Sequence, residues 1–163
     1  MKRQALVAVA VIGAAECTPE QASWAEEVGR LLARRDAVLV CGGRGGVMEA
    51  ACRGALSAGG MTVGLLPGAE LEAGNPFLTI ALPTGLGQTR NALVALAGRA
   101  VIAIGGGQGT LSEIGWALKS GRRVVGLATW QAHQADGTPL DILRANTPQE
   151  AVDLALATSS PAT

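Results

Sequence analysis

The chain has 163 residues, a length suited to one domain with a real core. Hydrophobic residues make up 48% and charged residues 16%, and 13 Lys+Arg balance 13 Asp+Glu, so the charge footprint of a generic nucleic-acid or anionic-membrane binder is missing. Glycine is over-represented, with 23 residues against an average usage of roughly 7%, and the glycines cluster between apolar runs where backbone must turn sharply or approach a ligand closely.

In chain order, the apolar run Ala5 to Ile12 reads as the first buried strand. A basic start and an apolar run also describe a signal peptide, but this run is short and a helix-capping pattern follows it directly. Thr18 is the N-cap of that helix, Pro19 takes its first position and Gln21 completes a capping box. Strand two is Ala37 to Cys41. It leads through "GGRGG" into a helix from about Val47 to Ala58, which Gly59 and Gly60 end. "MTVGLLP" and "FLTIALP" are strands three and four, with a loop from Gly68 to Pro76 between them. A helix from about Gln88 to Ala97 precedes strand five, Ala100 to Ile104. A second glycine loop and a helix from about Thr110 to Lys119 follow, then strand six, Arg122 to Ala128. "TWQAHQADGTPLD" reads as a surface connection, Ile142 to Arg144 as a short edge strand, and the last helix has Thr147 as N-cap, Pro148 at N1 and Glu150 at N3.

Short apolar strands alternating with helices are the signature of βαβ units. The expected fold is α/β: a single Rossmann-like, doubly wound domain over 1–158, with a mostly parallel sheet of six or seven strands and helices on both faces. Residues 159–163 are expected to form a disordered tail. No stretch approaches the roughly 18 apolar residues of a membrane span, and Cys17, Cys41 and Cys52 are odd in number without CxxC spacing. A cytoplasmic protein with no disulfide framework and no metal site is expected.

The stretch "IGGGQGTLSE", Ile104 to Glu113, has a counterpart 64 residues earlier. Gly42, Gly43, Gly45 and Glu49 match Gly106, Gly107, Gly109 and Glu113, and each copy sits between a strand and a helix. Glycines let backbone N–H groups converge, and a helix N-terminus adds roughly half a positive charge, so an anion can dock. In a doubly wound sheet, ligands sit beyond the strand C-termini at the switch in strand order. With strands one and four central and strands two and five beside them, both loops would open onto one crevice, rimmed by Gly13 and "TGLGQTR". The candidate ligand- and phosphate-binding residues are therefore Gly13, Gly42, Gly43, Arg44, Gly45, Gly106, Gly107, Gly109 and Thr110.

Glu113 admits two roles. Thr110-Leu111-Ser112-Glu113 fits a capping box, in which Glu113 only closes its helix; alternatively it faces the ligand. Glu49 lacks that capping partner, because Gly46 has no side chain to share, and its plain role is a first-turn carboxylate facing the helix dipole. Arg90 opens its helix, where a cation is mildly unfavourable, which suggests phosphate binding or a carboxylate partner; its plain role is a solvated surface arginine. Thr89 and Asn91 are hydrogen-bonding neighbours.

Other chemistry lacks support. Neither lysine, Lys2 or Lys119, follows a glycine loop as GK[ST], and neither offers a pyridoxal-phosphate Schiff base, so lysine decarboxylation is not expected. His133 lies alone in a polar loop, and GxSxG is absent. With one Phe, three Trp and no Tyr, base-stacking platforms are nearly missing. Trp24 and Trp116 read as core or subunit contacts.

"GGGQGTLSE" resembles the PGGxGTxxE signature of the LOG (Lonely Guy) proteins, long labelled lysine-decarboxylase-like, and "CGGRGGVMEAACRGA" is similar to that superfamily's first glycine loop and helix. The resemblance runs from Ala5 to about Ala157. It implies a Rossmann-like homodimer that cleaves the N-glycosidic bond of nucleoside 5′-monophosphates to free base and ribose 5-phosphate. On the matching positions, Glu113 and Arg90 would be the catalytic pair, and Gly106, Gly107, Gly109 and Thr110 the phosphate loop. Two positions depart from the pattern: Ile104-Gly105 replaces Pro before the GG pair, and Asn91 replaces Lys after the Arg. The GGGxGTxxE form is more similar to a sister branch that includes the molybdenum cofactor carrier proteins, which bind a phosphate-bearing pterin. Two readings therefore stand. One is a nucleotide phosphoribohydrolase needing no cofactor; the other is a non-catalytic carrier with molybdenum cofactor as its ligand. Either way the partners expected are a small phosphorylated ligand and further copies of the chain, in a dimer or tetramer, with no nucleic acid and no membrane.

Overall fold

The structure is a computed structural model and describes residues 6–158. Its seven strands are β1 (Val7–Gly13), β2 (Ala37–Cys41), β3 (Thr62–Leu66), β4 (Ile80–Pro83), β5 (Ala100–Ile104), β6 (Arg123–Leu127) and β7 (Ile142–Ala145). Every neighbouring pair is parallel, in the order β4-β3-β2-β1-β5-β6-β7. The five helices are α1 (Pro19–Arg34), α2 (Val47–Ser57), α3 (Asn91–Ala97), α4 (Gln108–Lys119) and α5 (Pro148–Leu156). Ala5, the expected start of β1, and the tail 159–163 lie outside the described residues. Among those described, no helix is long and apolar enough to cross a membrane.

The period-2 alternation of the central strands explains the two-sided sheet. Val9 and Val11 of β1 and Ile102 and Ile104 of β5 enter a core shared with α1, α2 and α5. Ala10, Ile12, Val101 and Ala103 point the other way, into a core with α3 and α4. Both faces are thus covered, as the uninterrupted apolar runs require.

One expectation fails. β4 is an edge strand and not a central one: it pairs only with β3, while β1 pairs directly with β2 and β5. The physical reason lies in its side chains. Ile80 and Leu82 stay exposed, at 41% and 46%, because the connection from β3 to β4 holds only a short 3-10 turn, Leu71–Ala73, and no α-helix to cover them. The chain winds outward from β1 to β4, then returns through α3 to lay β5 against β1. The switch in strand order therefore falls between β1 and β5, and β2 and β5 still flank β1.

Element ends shift by small amounts. β4 loses Phe77 to Thr79, which bind Thr62 instead: Thr62 Oγ1 donates to the Phe77 carbonyl at 2.6 Å, and Thr79 N donates to Thr62 O at 3.0 Å. The predicted helix from Gln88 begins as a 3-10 turn, Gly87–Arg90, before α3. α1 carries the expected capping box between Thr18 and Gln21, and Thr147 caps α5. Gly59, at φ +76°, ends α2 with Gly60 N donating to Ala55 O at 2.9 Å.

Helices α1 and α2 approach closely through two glycines. A Cβ on Gly29 would collide with the Ala51 carbonyl oxygen and lie 2.8 Å from Ala55 N, and one on Gly54 would lie 2.7 Å from the Glu26 carbonyl carbon. Helix propensity alone predicts that Gly29→Ala gains about 1 kcal/mol. Overpacking against backbone costs about 1–3 kcal/mol and does not relax easily. Gly29→Ala is therefore expected to lower stability, by up to about 2 kcal/mol in urea unfolding.

Candidate functional site

The loops after β1, β2 and β5 and the 3-10 turn that leads into α3 meet above the C-terminal edge of the sheet. They enclose a cavity of about 430 Å3, with walls that include Gly13, Arg44, Arg90, Gly107, Gly109, Thr110 and Glu113. Seven of the sequence-predicted site residues are thus brought to one crevice beside the β1/β5 switch point, where the general rule for open α/β sheets puts ligands. Gly13 is bare because β1 ends in a tight space. A Cβ there would lie 2.6 Å from Val47 Cβ and 2.7 Å from the Ile104 carbonyl oxygen.

Arg90 stands at the floor of this crevice, only 8% exposed. Its Nη1 donates to Asn91 Oδ1 at 2.8 Å and lies 3.8 Å from Glu113 Oε1, while its Nε is buried without a hydrogen-bond partner among the described residues. Asn91 Nδ2 donates to Ser112 Oγ at 3.1 Å, and Ser112 Oγ donates to the Gly109 carbonyl at 2.8 Å. A chain of hydrogen bonds therefore joins the guanidinium to the first turn of α4. Gly42 makes room for it, since a Cβ there would lie 2.7 Å from Arg90 Nη1 and 2.9 Å from Cζ.

Glu113 is 7% exposed, and burial raises its pKa from an ordinary 4.5 to about 7 against the opposing pull of Arg90. Burial likewise lowers the pKa of Arg90, with Glu113 acting in the other direction. Burial thus favours the neutral carboxyl well above the ordinary carboxylate range. A protonated carboxyl does not repel an incoming anion.

The capping box read from Thr110 to Glu113 does not form. α4 begins at Gln108, its N-cap Gly107 lying three residues before Thr110 and no side chain capping it, so Thr110 and Glu113 both sit inside the helix. The cause is steric. Gly105 and Gly106 take φ of +54° and +106°, which lets the chain enter the helix at once, and the Thr110 side chain fills the space over Gly106. Glu113 is released from capping and turned toward Arg90. The uncapped N–H groups of the first turn are free for an anion.

The first glycine loop serves differently. The Val47 N–H already donates to the Ala14 carbonyl at 3.1 Å, so the α2 N-terminus is partly spent on the β1 loop. Gly42, Gly43 and Gly45 shape the loop without lining the cavity, as does Gly106 in the second. Gly43, at φ +74°, donates its N–H to the Cys41 Sγ at 3.3 Å. Arg44 is exposed and reaches the cavity wall. Glu49 is half-buried in the first turn of α2 and does not line the crevice, unlike its counterpart Glu113. Met48, Pro67, Gln88 and Gln108 line it but carry no sequence signal beyond their place next to the motifs. Thr89 is exposed and off the cavity wall.

The model of the SLOG cluster4 family matches residues 6–152. An uncharacterized protein of Archaeoglobus fulgidus is 45% identical over 122 residues, covering 75% of this chain and 80% of that one. Among solved structures, the molybdenum cofactor binding protein of the phototrophic bacterium Rippkaea orientalis superposes with a TM-score of 0.81 at 34% identity, covering 94% of this chain and 96% of the other. The molybdenum cofactor carrier protein of Chlamydomonas reinhardtii superposes with a TM-score of 0.78 at 32% identity, covering 91% and 94%.

The buried carboxyl makes stability depend on pH. Below about pH 4.5, Glu113 is protonated in folded and unfolded chains alike and costs nothing. Between 4.5 and about 7 only the unfolded chain releases the proton, so stability falls as pH rises, by up to about 3 kcal/mol. Glu113→Gln keeps the shape and removes the titration. Denaturant unfolding at pH 5 and pH 8 should show the wild type losing about 2–3 kcal/mol more than the variant over that interval.

Proposed function

The chain belongs to the SLOG cluster4 family, and from that premise we propose that it is a cytoplasmic carrier of molybdenum cofactor, gripping the phosphate of the pterin at the crevice between the two glycine loops. The observation that carries the reading is the Arg90 side chain: about nine-tenths buried, its Nε without a partner among the described residues, beside an uncapped helix N-terminus. A buried cation left short of hydrogen bonds is costly, and a phosphate oxygen meets both its charge and its donors. Arg44 and the first-turn amides of α4 would supply the remaining contacts. The likeness to two molybdenum-cofactor proteins over more than nine-tenths of this chain favours that cargo over other phosphorylated ligands. Free thiols at Cys17, Cys41 and Cys52 fit a reducing compartment.

Glu113 favours a second reading, the nucleoside 5′-monophosphate phosphoribohydrolase. A carboxyl with a pKa of about 7 next to the phosphate-binding arginine is suited to general acid–base work. As a carboxylate it would stabilise an oxocarbenium-like transition state and orient the attacking water, whose hydroxyl joins the sugar while its proton leaves with the base. In the carrier the same residue would keep Arg90 in place without chemistry.

We also propose a homo-oligomer, a dimer or tetramer. Leu93 and Leu96 of α3 and Trp116 of α4 are exposed at 41%, 37% and 43% on helices that pack together, more apolar surface than solvent-facing helices usually leave bare.

Purified protein loaded with molybdenum cofactor and passed over a desalting column is expected to retain molybdenum and pterin in equal amounts, read by mass spectrometry and by fluorescence of the oxidised pterin. Loss of a charged hydrogen-bonding partner costs about 1.5–3 kcal/mol, so Arg90→Ala should weaken retention about tenfold to a hundredfold. Free base released from a panel of nucleoside monophosphates, and abolished in Glu113→Ala, would replace the carrier with the hydrolase. Trp116→Glu is expected to reduce the oligomer to smaller species in light scattering, with the fold retained by circular dichroism.

A further inference from the structure

A second cavity, of about 620 Å3, lies beyond the C-terminal ends of β6 and β7 and shares no lining residue with the crevice at Arg90. Its size falls within the range of small-molecule sites, roughly 300–1,000 Å3. Two of the chain's three tryptophans line it, Trp24 from α1 and Trp130 from the segment after β6, and both are only half-buried. Its charged side chain is Arg144 at the end of β7, and none of the lining residues is Asp or Glu. The Arg144 side chain makes no hydrogen bond or ion pair among the described residues. Indole faces suit planar rings and a free guanidinium suits an anion.

The backbone at the mouth is held in an unusual shape. Ala128 takes φ +50°, a conformation that costs a non-glycine residue on the order of 1 kcal/mol or more. That turn aims the next two residues at the phosphate loop. Thr129 Oγ1 donates to the Gly105 carbonyl at 2.5 Å, and Trp130 Nε1 donates to the Gly107 carbonyl at 3.1 Å. Across a trans peptide, the N–H of the following residue points the opposite way. Holding the Gly107 carbonyl toward Trp130 therefore turns the Gln108 N–H away from this cavity. One side chain, Trp130, is thus both a wall of the second cavity and a brace of the first.

We propose that the β6–β7 cavity is a second ligand subsite, which takes a planar heteroaromatic ring against Trp24 and Trp130 with an anionic substituent at Arg144. The subsite goes beyond the carrier reading and does not require the crevice at Arg90 to be filled.

The test is calorimetric titration of the full chain with pterin-6-carboxylate, a ring and an anion without phosphate. Wild type is expected to bind one equivalent per chain. Trp24→Ala and Arg144→Gln should each weaken binding at least tenfold, while Arg90→Ala leaves it within about twofold. Arg144 is exposed, so its variant keeps the test valid if Trp24→Ala fails to fold. No heat at millimolar pterin-6-carboxylate overturns the proposal. So does binding that is lost in Arg90→Ala and kept in Arg144→Gln, which would put the ring in the other crevice. A change of oligomer size in Trp24→Ala overturns it too, because a second copy of the chain would then be covering the indole. Failure of the carrier reading is scored separately, by molybdenum retention in Arg90→Ala.

Discussion

The side chains of an arginine and a glutamate, each about nine-tenths buried and 3.8 Å apart, sit where the strand order of the sheet reverses. Burying such a pair costs more in lost hydration than a single contact returns, unless other hydrogen bonds and bare backbone make room for it. Here the surroundings are arranged to do so. Gly42 gives up its side chain to the guanidinium, Asn91 holds it through Oδ1, and Ser112 ties that amide to the α4 turn. Part of the cost remains, and it appears as a glutamate pulled toward its neutral form and an arginine Nε without a partner. An anion would give that Nε a partner, and a neutral Glu113 would not repel it.

That requirement explains features that look unrelated along the chain. Gly13 is bare so that β1 can end between the Ile104 carbonyl and Val47. The left-handed turn at Gly105 and Gly106 starts α4 early, which withdraws Glu113 from capping and leaves the first-turn amides open. Asn91 stands where the LOG proteins carry lysine. A second cation there would repel Arg90, whereas the carboxamide accepts from it. The departure from the LOG pattern is thus part of the site and not a defect in it.

Much of the fold was legible because its signals are local. The strands are mostly apolar runs of four to seven residues, and Thr18 and Thr147 announce their helices by side-chain chemistry that acts over three residues. The two glycine loops were legible through their repeat and their placement between strand and helix. The reading failed where a local pattern was satisfied by the wrong partner. Thr110-Leu111-Ser112-Glu113 has the letters of a capping box, but the preceding glycines let the helix begin earlier. β4 has the letters of a buried strand, but its exposure depends on the connection before it, which forms no α-helix.

The sequence by itself determined the α/β class, the alternation of elements, the two glycine turns and the residue types able to meet a phosphate. Periodicity, capping and backbone freedom act over a few residues, and they need no knowledge of what lies across the sheet. Tertiary structure alone decided that β1 and β5 are neighbours, that Glu113 faces Arg90 while its repeat partner Glu49 does not line the crevice, and that Trp130 braces the Gly107 carbonyl from 23 residues away. Those outcomes depend on which chain segments compete for the same space, and on which buried charges find partners there. Desolvation and packing settle that competition only once the whole core has closed.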